Sequence, residues 1–497
     1  MFKKILIANR GEIALRVIRA CRKLNVQSVA VFSDADSHLP FVQEADEAHY
    51  LGPSPSADSY LRIDRIVDLA KEYGAEGIHP GYGFLAENAN FAKACEAAGI
   101  VFIGPDSGAI DRLGDKRHAK AVAEEAGVPV TPWVKCAGEA DKETVAAVES
   151  IGFPVMIKPS AGGGGKGMHR ADTLEELTEL LPKAAREAKA SFGDDSLLVE
   201  KFLPTPRHIE VQIVGDTHGN VLHFFERECS LQRRHQKLLE ETPSPSLTPE
   251  QRKKICQDAV KIAQTANYSN AGTCEFLYDE ANGSWYFCEV NTRLQVEHPV
   301  TEQVTGYDLV ELQLRVASGE KLEIKQEQVR QTGHAIELRI NSEDPFMNFM
   351  PSLGYIEAFS PPEGEGIRVD AGYHTGDSVT QFYDSLVAKL ILHGGDRVIT
   401  TKLAKQALRD FMVVGVATTI PFHLNLMEHP DFVAGKFDIH WVEQHMAELT
   451  TRNRSADAAV MAALMEYRRL QKVRAAQSRA GELAFDPWSS SSLPRLK

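Results

Sequence analysis

The first hundred residues alternate short apolar runs with helical stretches, and that alternation leaves few folds open. Ile5-Leu6-Ile7-Ala8 reads as a buried strand, after which Ile13, Ala14, Val17, Ile18, Cys21 and Leu24 recur at the spacing of one helical face. Val29-Ala30-Val31-Phe32 is a second strand, residues 60–73 a helix, Gly77-Ile78-His79 a strand end and Ile100-Val101-Phe102-Ile103 a further strand. Strands separated by helices pair in parallel, so the pattern predicts a doubly wound α/β unit. Its first turn, Asn9-Arg10-Gly11-Glu12-Ile13-Ala14, lacks the Gly-x-Gly-x-x-Gly fingerprint, which disfavours a nicotinamide enzyme.

Two further units follow. In the second, Gly152-Phe153-Pro154-Val155-Met156-Ile157-Lys158 is a turn and strand, residues 160–168 are glycine-rich, a long polar helix comes next, and Leu197-Leu198-Val199-Glu200 is a strand. From about 205 to 446 the segments 209–214, 221–225, 272–277 and 285–291 have β-like composition. The last fifty residues are different: 456–480 is Ala- and Arg-rich with helical periodicity, followed by Asp486-Pro487-Trp488 and a serine run.

Composition removes several classes of function. A net charge of −14 over 497 residues disfavours general nucleic-acid binding. No apolar run reaches the roughly 18 residues of a membrane helix, and Met1-Phe2-Lys3-Lys4-Ile5 leads directly into a strand without a signal-peptide pattern. The seven cysteines, at 21, 95, 136, 229, 256, 274 and 288, form no Cys-x-x-Cys pair, so neither a zinc site nor a disulfide framework is indicated and a reduced, cytoplasmic setting is expected.

Two segments carry chemistry. Ala161-Gly162-Gly163-Gly164-Gly165-Lys166-Gly167-Met168 lets backbone N–H groups approach phosphate oxygens, with Lys158 and Lys166 adding charge. Its spacing is not that of a Walker A loop; the bland alternative is a surface linker. The second is a hairpin, residues 272–277 and 285–291 around a turn at Asp279–Ser284. Alternation puts Glu289, Asn291 and Arg293 on one face if the strand persists. Glu275 joins them if the loop holds an odd number of residues: a two-residue Asn282-Gly283 turn sends it to the wrong side, and a three-residue loop ending at Gly283 aligns it. Two carboxylates and an amide oxygen are hard ligands suited to Mg²⁺ on nucleotide phosphates, and Arg293 can hold an anion beside them. The bland alternative is a solvated face on an edge hairpin; the ligand types favour an ATP- and Mg²⁺-dependent ligase.

These segments belong to a longer set that resembles the ATP-grasp ligases and, within them, the biotin carboxylases. The matching stretches are Ala8–Ala14, His79-Pro80-Gly81-Tyr82-Gly83-Phe84-Leu85-Ala86-Glu87-Asn88, the glycine loop, Glu226–Lys237, and Glu289–Glu302, covering roughly residues 1–446. The resemblance implies an α/β and α+β multidomain chain: a Rossmann-like α/β domain (1–113), an ATP-grasp lid domain with linker (114–204), the antiparallel-sheet ATP-grasp C-terminal half (205–330), a biotin carboxylase C-terminal domain (331–446), and a helical extension and tail (447–497). It implies ATP, Mg²⁺ or Mn²⁺ with two ions per site, and biotin as a carrier-bound substrate. The implied reaction carboxylates biotin with bicarbonate through carboxyphosphate.

The resemblance also assigns roles. Lys116 and Lys158 contact ATP phosphates, with Gly164 and Gly165 in the lid; Glu200, Lys201, Phe202 and Leu203 match the adenine hinge; His208, Gln232 and His235 line the nucleotide site. Glu275, Glu289 and Asn291 hold metal, and the two glutamates also belong to the ATP site. Lys237, Arg293, Gln295 and Val296 hold bicarbonate, Glu297 is the base, and Arg339 with Tyr82 binds biotin, Arg339 stabilising its enolate. Taken singly, Lys116, His208, His235, Tyr82 and Arg339 would pass as ordinary helix-start, surface or core residues; the constellation raises them.

Pro159 and a rather long turn between Glu275 and Glu289 depart from the family pattern. No Ala-Met-Lys-Met attachment motif is present, so a biotin carboxyl carrier protein and carboxyltransferase subunit(s) are expected as separate chains, around a homodimer, with no nucleic acid or membrane partner. Trp488 and the helix at 456–480 are expected to dock a partner. The alternatives are another ATP-grasp carboxylate-amine ligase and a non-catalytic nucleotide-binding subunit; the stretch Arg293–His298 and Arg339 argue against the first, and the intact metal set and Glu297 against the second.

Overall fold

The computed structural model describes residues 1–160, 167–452 and 463–468, with only the backbone at Phe192. The chain divides into two compact units, Met1–Leu449 and Thr450–Lys497. In the second, residues 463–468 are helical; Trp488 and the rest of the 456–480 stretch lie outside the described residues, as do Gly164 and Gly165.

The first unit opens with five parallel strands, β1 (Lys4–Ile7), β2 (Gln27–Ser33), β3 (Glu47–Gly52), β4 (Gly77–His79) and β5 (Val101–Phe102), in the order β3-β2-β1-β4-β5. The expected apolar stripe forms the helix Gly11–Lys23, with Ile13, Ala14, Val17, Ile18 and Cys21 buried against the sheet. Strand order reverses at β1, and in such sheets the crevice beyond the strand ends at the reversal is where ligands bind. The loops leaving β1 and β4 meet there: the Asn9 amide donates to the carbonyls of Pro80 (2.7 Å) and Tyr82 (2.8 Å). Gly81, at φ 62°, makes the turn that this approach requires.

A four-stranded antiparallel sheet follows, built from β6 (Trp133–Cys136), β7 (Val155–Pro159), β8 (His169–Ala171) and β9 (Leu197–Lys201) in the order β6-β9-β7-β8. The helix Leu174–Phe192 packs on it through Leu177, Leu181, Ala184 and Ala188.

The largest element is an eight-stranded antiparallel sheet. It contains β10 (Arg207–Gly215), β11 (Val221–Arg233), β12 (Gln236–Thr242), β13 (Asn270–Asp279), β14 (Ser284–Asn291), β15 (His334–Asn341) and the strands Leu386–Gly394 and Ile367–Ala371. The order is β14-β13-β10-β11-β12-β15, then Leu386–Gly394, then Ile367–Ala371, so strands from residues 205–330 and 331–446 share one continuous sheet. Helices Pro249–Thr265 and Arg397–Asp410 cover parts of one face with Ile255, Ile262, Ala404 and Leu408. No described helix is long and apolar enough to cross a membrane, and all seven cysteines are free thiols.

Candidate active site

The site is organised by a row of acids. Glu289 on β14 stands directly opposite Glu275 on β13, Glu275 opposite Glu210 on β10, and Glu210 opposite Arg227 on β11. Like charges directly opposed on one sheet face repel, so three carboxylates in register require cations. Lys237 on β12 supplies one: its ammonium lies 3.1 Å from Glu275 and 2.7 Å from Glu297, and also pairs with Glu210. Arg227, fully buried, holds Glu210 from behind and donates to Gln212 (2.8 Å) and Thr301 (3.0 Å). His208 is 3.2 Å from Glu275, and Lys116 is 3.4 Å from Glu289.

Glu275 reaches the row by a route other than the expected odd-numbered loop. Asp279 pairs with Ser284, so the loop holds the four residues 280–283, an even number that would put Glu275 opposite Cys288. A bulge between the pairs Phe276↔Phe287 and Glu275↔Glu289 leaves Cys288 unpaired and restores the shared face. The strand also ends at Asn291, so Arg293 approaches from the loop beyond it. There Arg293 donates to Glu87 (2.8 Å), Gln295 (3.0 Å) and Asn291 (3.2 Å), while Glu87 also accepts from the Thr292 N–H at 3.2 Å.

Glu297 is wholly buried behind Lys237 and Arg339; one carboxylate oxygen takes Lys237 and the other takes Arg339 at 2.9 Å. Burial opposes its charge, but Lys237 and then Arg339 outweigh burial and hold its carboxyl well below the ordinary range. Lys389, buried in the apolar run 386–392, donates to the Val296 carbonyl (2.8 Å) and pairs with Glu12 (3.2 Å), which accepts from the Tyr82 hydroxyl. Tyr82 is thereby linked through Glu12 and Lys389 to the Val296 peptide.

On the opposite wall, neighbouring strands β7 and β9 bring Lys158 against Glu200, and Lys120 pairs with the same carboxylate at 2.9 Å. Burial would raise the Glu200 pKa; Lys158 and Lys120 bring it down to about 2. The Lys201 ammonium turns to the carbonyls of Gly152 (3.0 Å) and Phe153 (3.1 Å). Between β11 and β12 the chain turns in two residues, Arg234 and His235, at φ 49° and 63°. Such a turn normally takes Asn-Gly; side chains here carry backbone strain, and His235, exposed to solvent at the cavity, has its pKa lowered by partial desolvation.

One cavity of about 760 Å³ gathers these groups. Tyr82, Lys116, Lys158, Glu200, Lys201, Phe202, Leu203, His208, Gln232, His235, Lys237, Glu275, Glu289, Asn291, Arg293, Gln295, Val296 and Arg339 all line it, whereas Glu297 lies behind that lining. Several participants, Arg227 and Glu12 among them, escaped the sequence reading. Lys120 shares a face with Lys116 one turn earlier on the helix Lys116–Glu125, a signal that was available. Lys389 is the one Lys, Arg, Asp or Glu in a largely apolar strand, Glu210 is flanked by an isoleucine and a valine on β10, and Glu87 lay within a recognised motif but had no role attached.

Comparison with known proteins points to one family. Three family models match: "Biotin carboxylase, N-terminal domain" over residues 1–110, "Carbamoyl-phosphate synthase L chain, ATP binding domain" over 115–325, and "Biotin carboxylase C-terminal domain" over 337–444. Biotin carboxylase 1 of Bacillus subtilis is 49% identical over 445 residues, which is 90% of this chain and 99% of that protein. The alpha subunit of mitochondrial methylcrotonoyl-CoA carboxylase from Rattus norvegicus is 46% identical over 99% of this chain and 69% of its own length. Among solved structures, the biotin carboxylase domain dimer of Hydrogenobacter thermophilus 2-oxoglutarate carboxylase, determined with MgADP, ADP and bicarbonate, superposes with a TM-score of 0.87 at 48% identity, covering 91% of this chain and 99% of that one.

Proposed function

The chain belongs to the biotin carboxylase family, and from that premise we propose how its residues divide the reaction. The reaction is the ATP-dependent carboxylation of biotin with bicarbonate, through carboxyphosphate, the first half-reaction of a biotin-dependent carboxylase. The observation that carries the assignment is Glu297: a buried, ionised carboxylate clamped between Lys237 and Arg339 beside a row of metal-suited acids.

Lys116, Lys158 and the glycines 164 and 165 bind ATP phosphates, with Lys120 added as the second cation on Glu200. The hinge 200–203 takes adenine, and His208, Gln232 and His235 line the nucleotide site. Glu275, Glu289 and Asn291 would hold Mg²⁺ or Mn²⁺, two ions per site; the fit rests on hard oxygen donors gathered on one face. The metal supplies positive charge to the phosphates as the γ-phosphoryl group is transferred. Arg293, Gln295, the Val296 peptide and Lys237 hold bicarbonate; the Lys389 contact to the Val296 carbonyl supports this by fixing the orientation of that peptide. Glu297 removes the bicarbonate proton, and Arg339 with Tyr82 receives biotin, Arg339 offsetting the developing oxyanion.

A biotin carboxyl carrier protein and carboxyltransferase subunit(s) are proposed as separate partners of a homodimer in the cytoplasm. Relatives whose alignments reach into this chain's last fifty residues include the methylcrotonoyl-CoA carboxylase alpha subunits of rat and mouse, which favours an acyl-CoA acceptor over pyruvate. We keep the functional division 1–113, 114–204, 205–330, 331–446 and 447–497 as a proposal; the family-model spans support the boundaries near 113, 330 and 446, while a single model covers both 114–204 and 205–330.

The test is bicarbonate-dependent ATP hydrolysis stimulated by free biotin. Folded protein that hydrolyses ATP without either dependence would point to a different ATP-grasp ligase. Within the same assay, Glu87→Ala is expected to raise the bicarbonate KM about tenfold, the scale of one lost charged hydrogen bond, with the ATP KM unchanged. An unaltered bicarbonate KM would remove Glu87 as the residue that positions Arg293.

A further inference from the structure

Two buried carboxyls beside this site have no task in the scheme above. Glu337 on β15 stands directly opposite Glu240 on β12, and both are wholly buried. Strand alternation defines what surrounds Glu337. On its own face it lies between Ala335 and Arg339, with Ile391 across from it on the strand Leu386–Gly394. Ala335 and Ile391 pack with Val300 and Val304 of the helix His298–Thr305. Glu337 therefore has an apolar wall on one side and a second carboxyl on the other.

Neither oxygen of Glu337 has a hydrogen-bond partner among the described residues, and neither does Glu240 Oε2. Glu240 Oε1, by contrast, receives Arg339 Nε at 2.7 Å, and the same guanidinium reaches Glu297 at 2.9 Å. A buried carboxylate without donors is costly, and two adjacent ones do not both ionise. One proton between them satisfies an orphaned oxygen on each side.

We propose that Glu337 is a positioning residue for Arg339: it keeps its proton, donates it to Glu240 Oε2, and so fixes the carboxylate that docks the guanidinium beside Glu297. The proposal rests on the reading of Arg339 as the biotin-binding arginine. The electrostatics agree in direction. Burial pushes the Glu337 carboxyl well above its ordinary range, Lys389 opposes this and Glu240 adds to it; burial also lifts Glu240, to about 7. The other charged or titratable groups around the pair are Arg339, Lys237, Lys389 and Glu297, with Cys229 on β11 kept a thiol and His298 on the flanking helix kept neutral, both by burial. The docked arrangement needs Glu240 ionised and Glu337 protonated, so it is present between their two folded-state pKa values and is lost as pH rises through that of Glu337. Ionisation of the second carboxyl then gives Arg339 a new anion that competes with Glu297.

The experiment is a pH profile of biotin-stimulated ATP turnover, with biotin KM, for the full chain and two variants. Glu337→Gln keeps an N–H donor in place and cannot ionise. It is expected to match the wild-type kcat and biotin KM at neutral pH within about twofold and to lose the alkaline decline. Glu337→Ala removes the donor and is expected to raise the biotin KM about tenfold, one charge-coupled hydrogen bond. If the alanine variant does not fold, the glutamine profile decides alone. An alkaline decline identical in wild type and Glu337→Gln, or a glutamine variant as impaired as alanine, overturns the proposal. Arg339→Ala separates the two levels: if it too leaves the biotin KM unchanged, the reading of Arg339 has failed, and if it raises the KM while the Glu337 variants do not, only the present inference has.

Discussion

Glu297→Gln is expected to bind MgATP as tightly as the wild type and to lose biotin-dependent turnover by about 10²–10⁴-fold, the usual contribution of a general base. The carboxylate makes its contacts with Lys237 at 2.7 Å and Arg339 at 2.9 Å and lies behind the residues that line the cavity, so the amide alters no nucleotide contact. Its carboxyl is held well below the ordinary range, with burial opposing and Lys237 and Arg339 prevailing, so the base is ionised throughout the neutral range. Calorimetry with the nucleotide and a coupled ATPase assay separate the two effects. Turnover retained in the glutamine variant would rule Glu297 out as the base.

Lys237→Ala is expected to lose both turnover and stability. One ammonium serves Glu210, Glu275 and Glu297, and its removal leaves three carboxylates of the same patch without a shared cation. Breaking a buried pair by removing one partner costs about 3–5 kcal/mol, which denaturant unfolding at neutral pH will register. The sign with pH follows. In the wild type, burial raises the pKa values of Glu275 and Glu297, but Lys237, with His208 at Glu275 and Arg339 at Glu297, outweighs it and holds them down. Their stabilisation is therefore present above the unfolded carboxyl pKa and fades as pH falls through the folded values. In the variant that depression is relieved, so the carboxyls take up protons at higher pH and the deficit narrows on acidification. A deficit that is constant from neutral to acid pH would show that Lys237 acts through packing and not through these charges.

How far the sequence foreshadowed this site depends on what kind of pattern each part leaves. The parallel sheet was legible because β1, β2 and β4 are buried on both faces and read as apolar runs between helices. β11 was read only as far as Phe225, although it continues to Arg233. Its second half, Glu226-Arg227-Glu228, consists of buried charges, and a strand whose charges are paired across a sheet looks like a loop in one dimension. Glu210 and Lys389 were missed for the same reason: each stands between apolar neighbours in a strand, and its partner is remote in sequence. Pairing of β12 with β15, which brings Arg339 to Lys237 and Glu297, joins segments about a hundred residues apart and leaves no local mark. The residues on contiguous motifs, from Glu289 to Val296, meet at one cavity as their grouping in the sequence suggests, while the bulge that aligns them with Glu275 leaves no mark in the sequence.

The bulge at Cys288 sets which part of that hairpin can vary. On its outer side the pairs from Phe276↔Phe287 to Asp279↔Ser284 keep one phase; on its inner side Glu275↔Glu289, Cys274↔Val290 and Thr273↔Asn291 keep another. The outer half is anchored separately, by Phe276 and Phe287 in the core under the helix Pro249–Thr265 and by Trp285 Nε1 on Asp258 at 3.0 Å. Residues gained or lost at the tip change the length of the ribbon without rotating the acids. A single residue gained or lost between Cys288 and Asn291 turns Glu289 or Asn291 away from the face of Glu275. Changes in hairpin length are thus absorbed at the solvent end, and the four residues 288–291 at its base set the common facing of Glu275, Glu289 and Asn291.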